Sequence, residues 1–150
     1  MRYATVVKKG VFDSAHRNTG FGEGHKCNRI HGHTFNYEIH VRSAINEKTG
    51  LSIDFGVIKN AMKNRVDKVL DHYYLNEDVP YFRDIPPSAE NIACFIFERV
   101  QKELNRLLHI GEISTYGEVT KVVLHETPTS TIIIESNDII LPHYREGTDF

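Results

Sequence analysis

The strongest chemical signal in the chain lies in its first quarter, where three histidines and a cysteine cluster around glycines. His31 and His33 are two residues apart, so in extended backbone both imidazoles leave the same face and can reach one ion. Gly32 between them lets the backbone approach closely, and His16 would stand beside them if the two strands pair as a hairpin. Three nitrogens suit Zn2+, and three protein ligands that leave a position for water or substrate describe a catalytic rather than a structural zinc site. Cys27, four residues before His31, has two readings: a fourth ligand that closes the site, or a free thiolate activated by nearby positive charge. Taken alone, His-Gly-His is more simply a turn with surface histidines; His16 and Cys27 move the balance toward a metal.

These side chains need a scaffold, and the hydrophobic pattern supplies one. Tyr3 to Phe12 reads as a first strand ending near His16, with Lys8, Lys9 and Gly10 marking a bulge. Asn18 to Lys26 reads as a loop. From Thr34 to Arg42, Phe35, Tyr37, Ile39 and Val41 alternate with Asn36, Glu38, His40 and Arg42, the period of a sheet with one buried face. Asp54 can cap a helix over about residues 55 to 70, and Ser88 a second whose stripe runs Ile92, Ile96, Val100, Leu104, Leu108 and which Gly111 ends. Two further strands, about Glu118 to Glu126 and Thr131 to Glu135, turn around Pro128. The expected fold is α+β: a four-stranded antiparallel sheet with two helices on one face, in the order ββααββ. Its free edges predict pairing between copies.

Length and composition narrow the function classes. With 150 residues and 40% hydrophobic content, residues 1–150 are expected to form one domain with a real core. A formal net charge of -2 without a block of like charge argues against nucleic acid as the main partner. No apolar stretch approaches a membrane span and nothing resembles a signal peptide, so no membrane partner and a cytoplasmic location are expected. Cys27 and Cys94 are too few for a disulfide scaffold, and Cys94, in an apolar helical run, is expected in the core.

Seven stretches together resemble the 6-pyruvoyltetrahydropterin synthase and 6-carboxytetrahydropterin synthase family of the tunnelling fold. They are Phe12-Asp13-Ser14-Ala15-His16, Glu23-Gly24-His25-Lys26-Cys27, His31-Gly32-His33, Asp54-Phe55-Gly56, Leu70-Asp71-His72 with Leu75-Asn76, Pro87-Ser88-Ala89-Glu90-Asn91, and His125-Glu126-Thr127. The resemblance spans nearly the whole chain. It implies an oligomeric barrel, a homo-hexamer of two trimers, and a small-molecule pterin triphosphate as substrate. The three-residue gap between Cys27 and His31 is similar to the bacterial carboxy branch. That branch converts 7,8-dihydroneopterin triphosphate to 6-carboxy-5,6,7,8-tetrahydropterin with release of acetaldehyde and triphosphate, toward queuosine. The alternatives are the pyruvoyl reaction, which stops after triphosphate elimination, and a non-catalytic zinc module with one cysteine and three histidine ligands.

Residue by residue, the resemblance implies metal ligation by His16, His31 and His33, and proton transfer by Cys27. It also implies a supporting His72 oriented by Asp71, the pair meeting Cys27 across a subunit boundary. Glu126 is the expected substrate anchor, accepting two parallel hydrogen bonds from a guanine-like edge, and is implied in a charge relay as well. Read alone, a Leu-Asp-His turn is a helix-end element and Glu126 an exposed strand-end carboxylate. His25, His40, His109, His125 and His143 receive no catalytic role, and Pro87 to Asn91 is explained as a helix start. The triphosphate has three candidate cations near the metal loop, Arg17, Lys26 and Arg29. The segment Glu103 to Tyr116 and the tail after Ile134 look longer than in compact bacterial members.

Overall fold

The computed structural model describes residues 1–139; His143 and the end of the tail lie outside the described residues. Four strands form one antiparallel sheet in the order β1-β2-β3-β4: β1 Tyr3–His16, β2 His31–Ala44, β3 Glu118–Thr127 and β4 Ser130–Glu135. Between β2 and β3 the chain forms α1 Phe55–Met62, a π-helical turn Lys63–Asp67, α2 Lys68–Leu70, α3 Leu75–Asp78 and the long α4 Ala89–His109. The expected sheet and helix order is therefore the observed one, with added short elements between the two long helical stretches. No helix among the described residues is long and apolar enough to cross a membrane.

Alternation makes the sheet two-faced. Phe12, Phe35, Tyr37, Ile39, Val41, Val122 and Leu124 are buried against Ile58, Val66, Ile92, Ile96 and Val100 from the helices. Each fully buried side chain of this kind contributes about 1.5–3 kcal/mol. Capping fixes where the helices begin: the Asp54 side chain accepts from the Gly56 amide, and Ser88 Oγ from the Asn91 amide at 3.2 Å. Gly111, at φ 78°, follows α4 with the left-handed backbone that terminates helices.

Three details differ from the sequence reading. β1 and β2 are each 14 residues long and pair without a break from Tyr3↔Ala44 to His16↔His31, so no bulge interrupts Lys8, Lys9 and Gly10. Gly10 has a packing reason instead: a Cβ there would sit 2.7 Å from the Tyr37 ring. The helix expected over residues 55 to 70 contains the wide π turn, in which the Lys68 amide donates to the Lys63 carbonyl. Finally, Cys94 is only half-buried rather than sealed in the core.

Candidate active site

The uninterrupted β1–β2 ladder places His16 opposite His31 and Ser14 opposite His33 at one end of the sheet. The three imidazoles meet edge to face, with ring centroids 4.7, 5.2 and 4.9 Å apart, and one nitrogen from each lies within 4.8 Å of the other two. His16, 2% exposed, continues the buried face of Phe12 and Ser14, so the cluster sits at the rim of the core.

Hydrogen bonds orient the rings. His16 Nδ1 donates to the Pro87 carbonyl and His31 Nδ1 to that of Arg29, each at 2.7 Å, which leaves both Nε2 lone pairs free. His16 Nε2 and His33 Nε2 are buried with no hydrogen-bond partner among the described residues. Glu126 Oε1 lies 3.3 Å from His33 Nε2, close enough for charge attraction but misaligned for a hydrogen bond. Burial is the main cause that lowers the pKa of both His16 and His33, so neutral imidazoles, the ligating form, are favoured. Orphaned buried nitrogens and neutral rings together fit a divalent ion of the kind that accepts nitrogen donors.

A hollow of about 410 Å3 opens beside the cluster, walled in part by His16, Cys27, Phe21, Glu90 and Glu126. Cys27 sits in a single 3-10 turn, Lys26–Asn28, whose entry is fixed by its own amide donating to His25 Nδ1 at 3.1 Å. Its sulfur does not join the His16-His31-His33 group, so the thiol is free within the same hollow. Glu126 reaches it because alternation from Val122 and Leu124 sends it to the helix-facing side. A bulge leaves it without a partner on β4, between the pairs His125↔Thr131 and Thr127↔Ser130. Glu90 arrives from the first turn of α4, a position that the sequence reading explained only as a helix start.

Asp71 and His72 lie elsewhere. His72 borders a second hollow, of about 480 Å3, that touches Asp13, Ser14, Gly32, His33 and Thr34 but not Cys27. Asp71 Oδ1 accepts from the Asp13 amide at 2.9 Å, and Oδ2 lies 2.9 Å from His72 Nδ1. These contacts, the Asp13 amide first, hold the Asp71 carboxyl below the usual range, and Asp71 in turn raises His72. His72 is the one non-glycine residue with positive φ, 64°, among the described residues, and its side chain is 78% exposed. The segment is tied to the outer edge of β1 by His72 N to Asp13 O and Ala15 N to Tyr73 O. Arg17, Lys26 and Arg29 wall neither hollow.

The family model for 6-pyruvoyl tetrahydropterin synthase matches residues 5–137. The 6-pyruvoyl tetrahydrobiopterin synthase of Drosophila melanogaster is 35% identical over 109 residues, 71% of this chain and 60% of the relative, so the chain spans three fifths of that relative's length. The 6-carboxy-5,6,7,8-tetrahydropterin synthase of Synechocystis sp. is 34% identical over 112 residues, 72% of this chain and 83% of the relative. The structure of 6-pyruvoyl tetrahydropterin synthase from Caenorhabditis elegans superposes with a TM-score of 0.75 at 23% identity, covering 91% of this chain and 97% of that one, and shows the same fold.

Proposed function

Because this chain belongs to the 6-pyruvoyl tetrahydropterin synthase family, we propose that it is a zinc-dependent enzyme acting on 7,8-dihydroneopterin triphosphate and expelling triphosphate to give 6-pyruvoyltetrahydropterin. The observation that carries this reading is the free Cys27 thiol sharing one hollow with Glu126 and with His16, one member of a three-histidine cluster that has no cysteine in it. The pyruvoyl product, a secondary possibility from sequence motifs alone, moves ahead because most matched relatives carry that name.

His16, His31 and His33 would hold the ion through one nitrogen each, and those of His16 and His33 are buried without another partner. A divalent ion bound there supplies Lewis acidity toward the hydroxyls of the substrate side chain, which acidifies the neighbouring C–H bonds. Glu126 anchors the pterin by two parallel hydrogen bonds to its amino and ring N–H groups. Cys27 removes the proton from the side-chain carbon next to the phosphorylated one, and the C–O bond to the triphosphate breaks as the resulting electron pair moves in; the enol left behind becomes a ketone, and a proton moved from the ring-attached side-chain carbon to the ring nitrogen oxidises the side chain to the diketone as it reduces the ring. His72, held by Asp71, carries the proton onward from a neighbouring copy, since within one chain it faces a different hollow.

A second reading is the carboxy reaction, favoured by the three-residue gap between Cys27 and His31 and by the Synechocystis relative. Product analysis separates the two. Purified protein given dihydroneopterin triphosphate is expected to release triphosphate and accumulate a pyruvoyl pterin; acetaldehyde and a carboxy pterin in equal amounts would replace this reading by the second.

A further inference from the structure

Between β1 and the turn that carries Cys27, residues 17–25 leave the sheet and fold back, and hydrogen bonds fix the base of that loop. The Asn18 amide donates to the Cys27 carbonyl at 2.7 Å. Asn76 holds the Arg17 backbone from both sides, accepting from its amide at 2.9 Å and donating to its carbonyl at 3.1 Å. The carbonyl side of Cys27 is thereby anchored beside the end of β1. Its amide is held by a side chain, His25, whose Nδ1 accepts from it at 3.1 Å.

An aromatic stack holds that imidazole in turn. The Phe21 and His25 rings lie 4.6 Å apart at 22°, the arrangement of an offset stack. The residues between them make it possible. Gly22 and Gly24 have φ of 92° and 77°, left-handed backbone that glycine adopts without strain, and these two bends turn Phe21 back onto His25. The Gly22 carbonyl then accepts from Asn28 Nδ2 at 2.6 Å, which closes the loop onto the far end of the Cys27 turn. Phe21 is 61% exposed and walls the hollow together with Cys27 and Glu126, so the stack stands at the mouth of the site and not in the core.

The residues that usually fill such a capping position are serine, threonine, aspartate and asparagine, which accept from the amide two or three places on through an oxygen. An imidazole can do so only through a nitrogen with a free lone pair, which puts the ring proton on Nε2. What it adds is a flat face that a neighbouring ring can hold. We propose that His25 is a positioning residue for the Cys27 thiol: its Nδ1 sets the turn from which the sulfur enters the hollow, and the Phe21 ring keeps that nitrogen aimed at the amide. No proton passes through His25 in this role. The turn makes two backbone bonds of its own, Asn28 N to His25 O and Arg29 N to Lys26 O, and so depends on its cap more than a long helix would. Proton removal needs the sulfur within reach of one C–H bond, where a misplacement of about 1 Å costs on the order of 10²-fold. The chemistry of the thiol rests on the proposed function; its placement does not.

Two substitutions separate the acceptor from the ring. His25→Phe keeps a ring for Phe21 and removes the acceptor, whereas His25→Asn keeps an acceptor suited to a cap and removes the ring. Each full-length protein is alkylated with iodoacetamide, and labelling of Cys27 and of Cys94 is followed separately by peptide mass mapping, with Cys94 on α4 reporting an intact fold. In His25→Phe, Cys27 should label about threefold or more faster as the loosened turn exposes the sulfur, with Cys94 unchanged. The same variant should turn over dihydroneopterin triphosphate about tenfold or more slowly at a KM within about twofold of wild type, because the groups that bind are left in place. His25→Asn should bring labelling and kcat back to within about twofold of wild type. Wild-type labelling or wild-type kcat in His25→Phe overturns the proposal, and so does a His25→Asn protein as impaired as His25→Phe. If the phenylalanine also alters Cys94, His25→Ala removes the acceptor without adding bulk and takes its place. A wild type that makes no pterin product would sink the proposed function, while the labelling comparison would still decide the role of His25.

Discussion

The histidine cluster and the Asp71–His72 turn are built in opposite ways. His16, His31 and His33 come from one hairpin; His16 is held by the Pro87 carbonyl just before α4, and His16 and His33 present buried nitrogens without a hydrogen-bond partner among the described residues. Asp71 and His72 lie on the open side of β1, exposed and already paired with each other, with a strained backbone at the histidine. One half of the site is finished within a single chain; the other is laid out along an edge, where a second copy can meet it. On the proposed function, the ion site would be pre-organised within one hairpin, and the proton carrier would lie on an edge to be completed by a second copy.

The largest effect that tests this contrast is expected at the cluster. His31→Ala should abolish stoichiometric metal, read by elemental analysis of the purified protein, and lower turnover by about a thousandfold or more. Full metal content in that variant would show that the three rings do not act as one site. Cys27→Ala should lower turnover by about 10²–10⁴ while metal content and fold are unchanged. Loss of metal there would mean that the sulfur closes the coordination sphere.

The contrast sharpens when two inactive chains are combined. Cys27→Ala and His72→Ala chains refolded together in equal amounts should regain about a quarter of wild-type activity, because random mixing gives that share of sites an intact group from each side. If no ratio of the two restores turnover, the turn serves its own chain. The smallest effect is electrostatic. Asp71→Asn should return His72 toward the ordinary histidine range, seen as a downward shift of its NMR titration midpoint, since Asp71 is the chief cause of the raised value. The sign for stability follows: with the folded-state value raised, the pair's contribution is complete below the unfolded value near ~6.5 and is lost as pH rises through the folded one. For Asp71, held low, the contribution is present above the normal carboxylate range and disappears as pH falls through the lowered value.

Much of this arrangement is legible in the residues because it depends on local period. Alternation around Phe35, Tyr37, Ile39 and Val41 defines the buried face of β2, and the two-residue spacing of His31 and His33 puts both on that face. Features decided by partners distant in sequence are not legible. Gly10 suggests a bulge until Tyr37 is seen lying on it. Lys63 to Asp67 have compositions that suit an α-helix equally well, and the π turn follows from Asp67 reaching Tyr37 on another element. Glu90 looks like a helix-start acid because nothing near it in sequence reveals that the first turn of α4 faces Cys27 and Glu126.

The unpaired position of Glu126 has a consequence for how the family's loops can vary. Its side of the sheet is set by counting from Leu124, whereas its distance from the hairpin tip is set by the extra residue. Adding or removing amino acids beyond Thr127 therefore changes the tip without disturbing the carboxylate. A single deletion between Leu124 and Glu126 would flip it to the far surface in one step, with no intermediate setting.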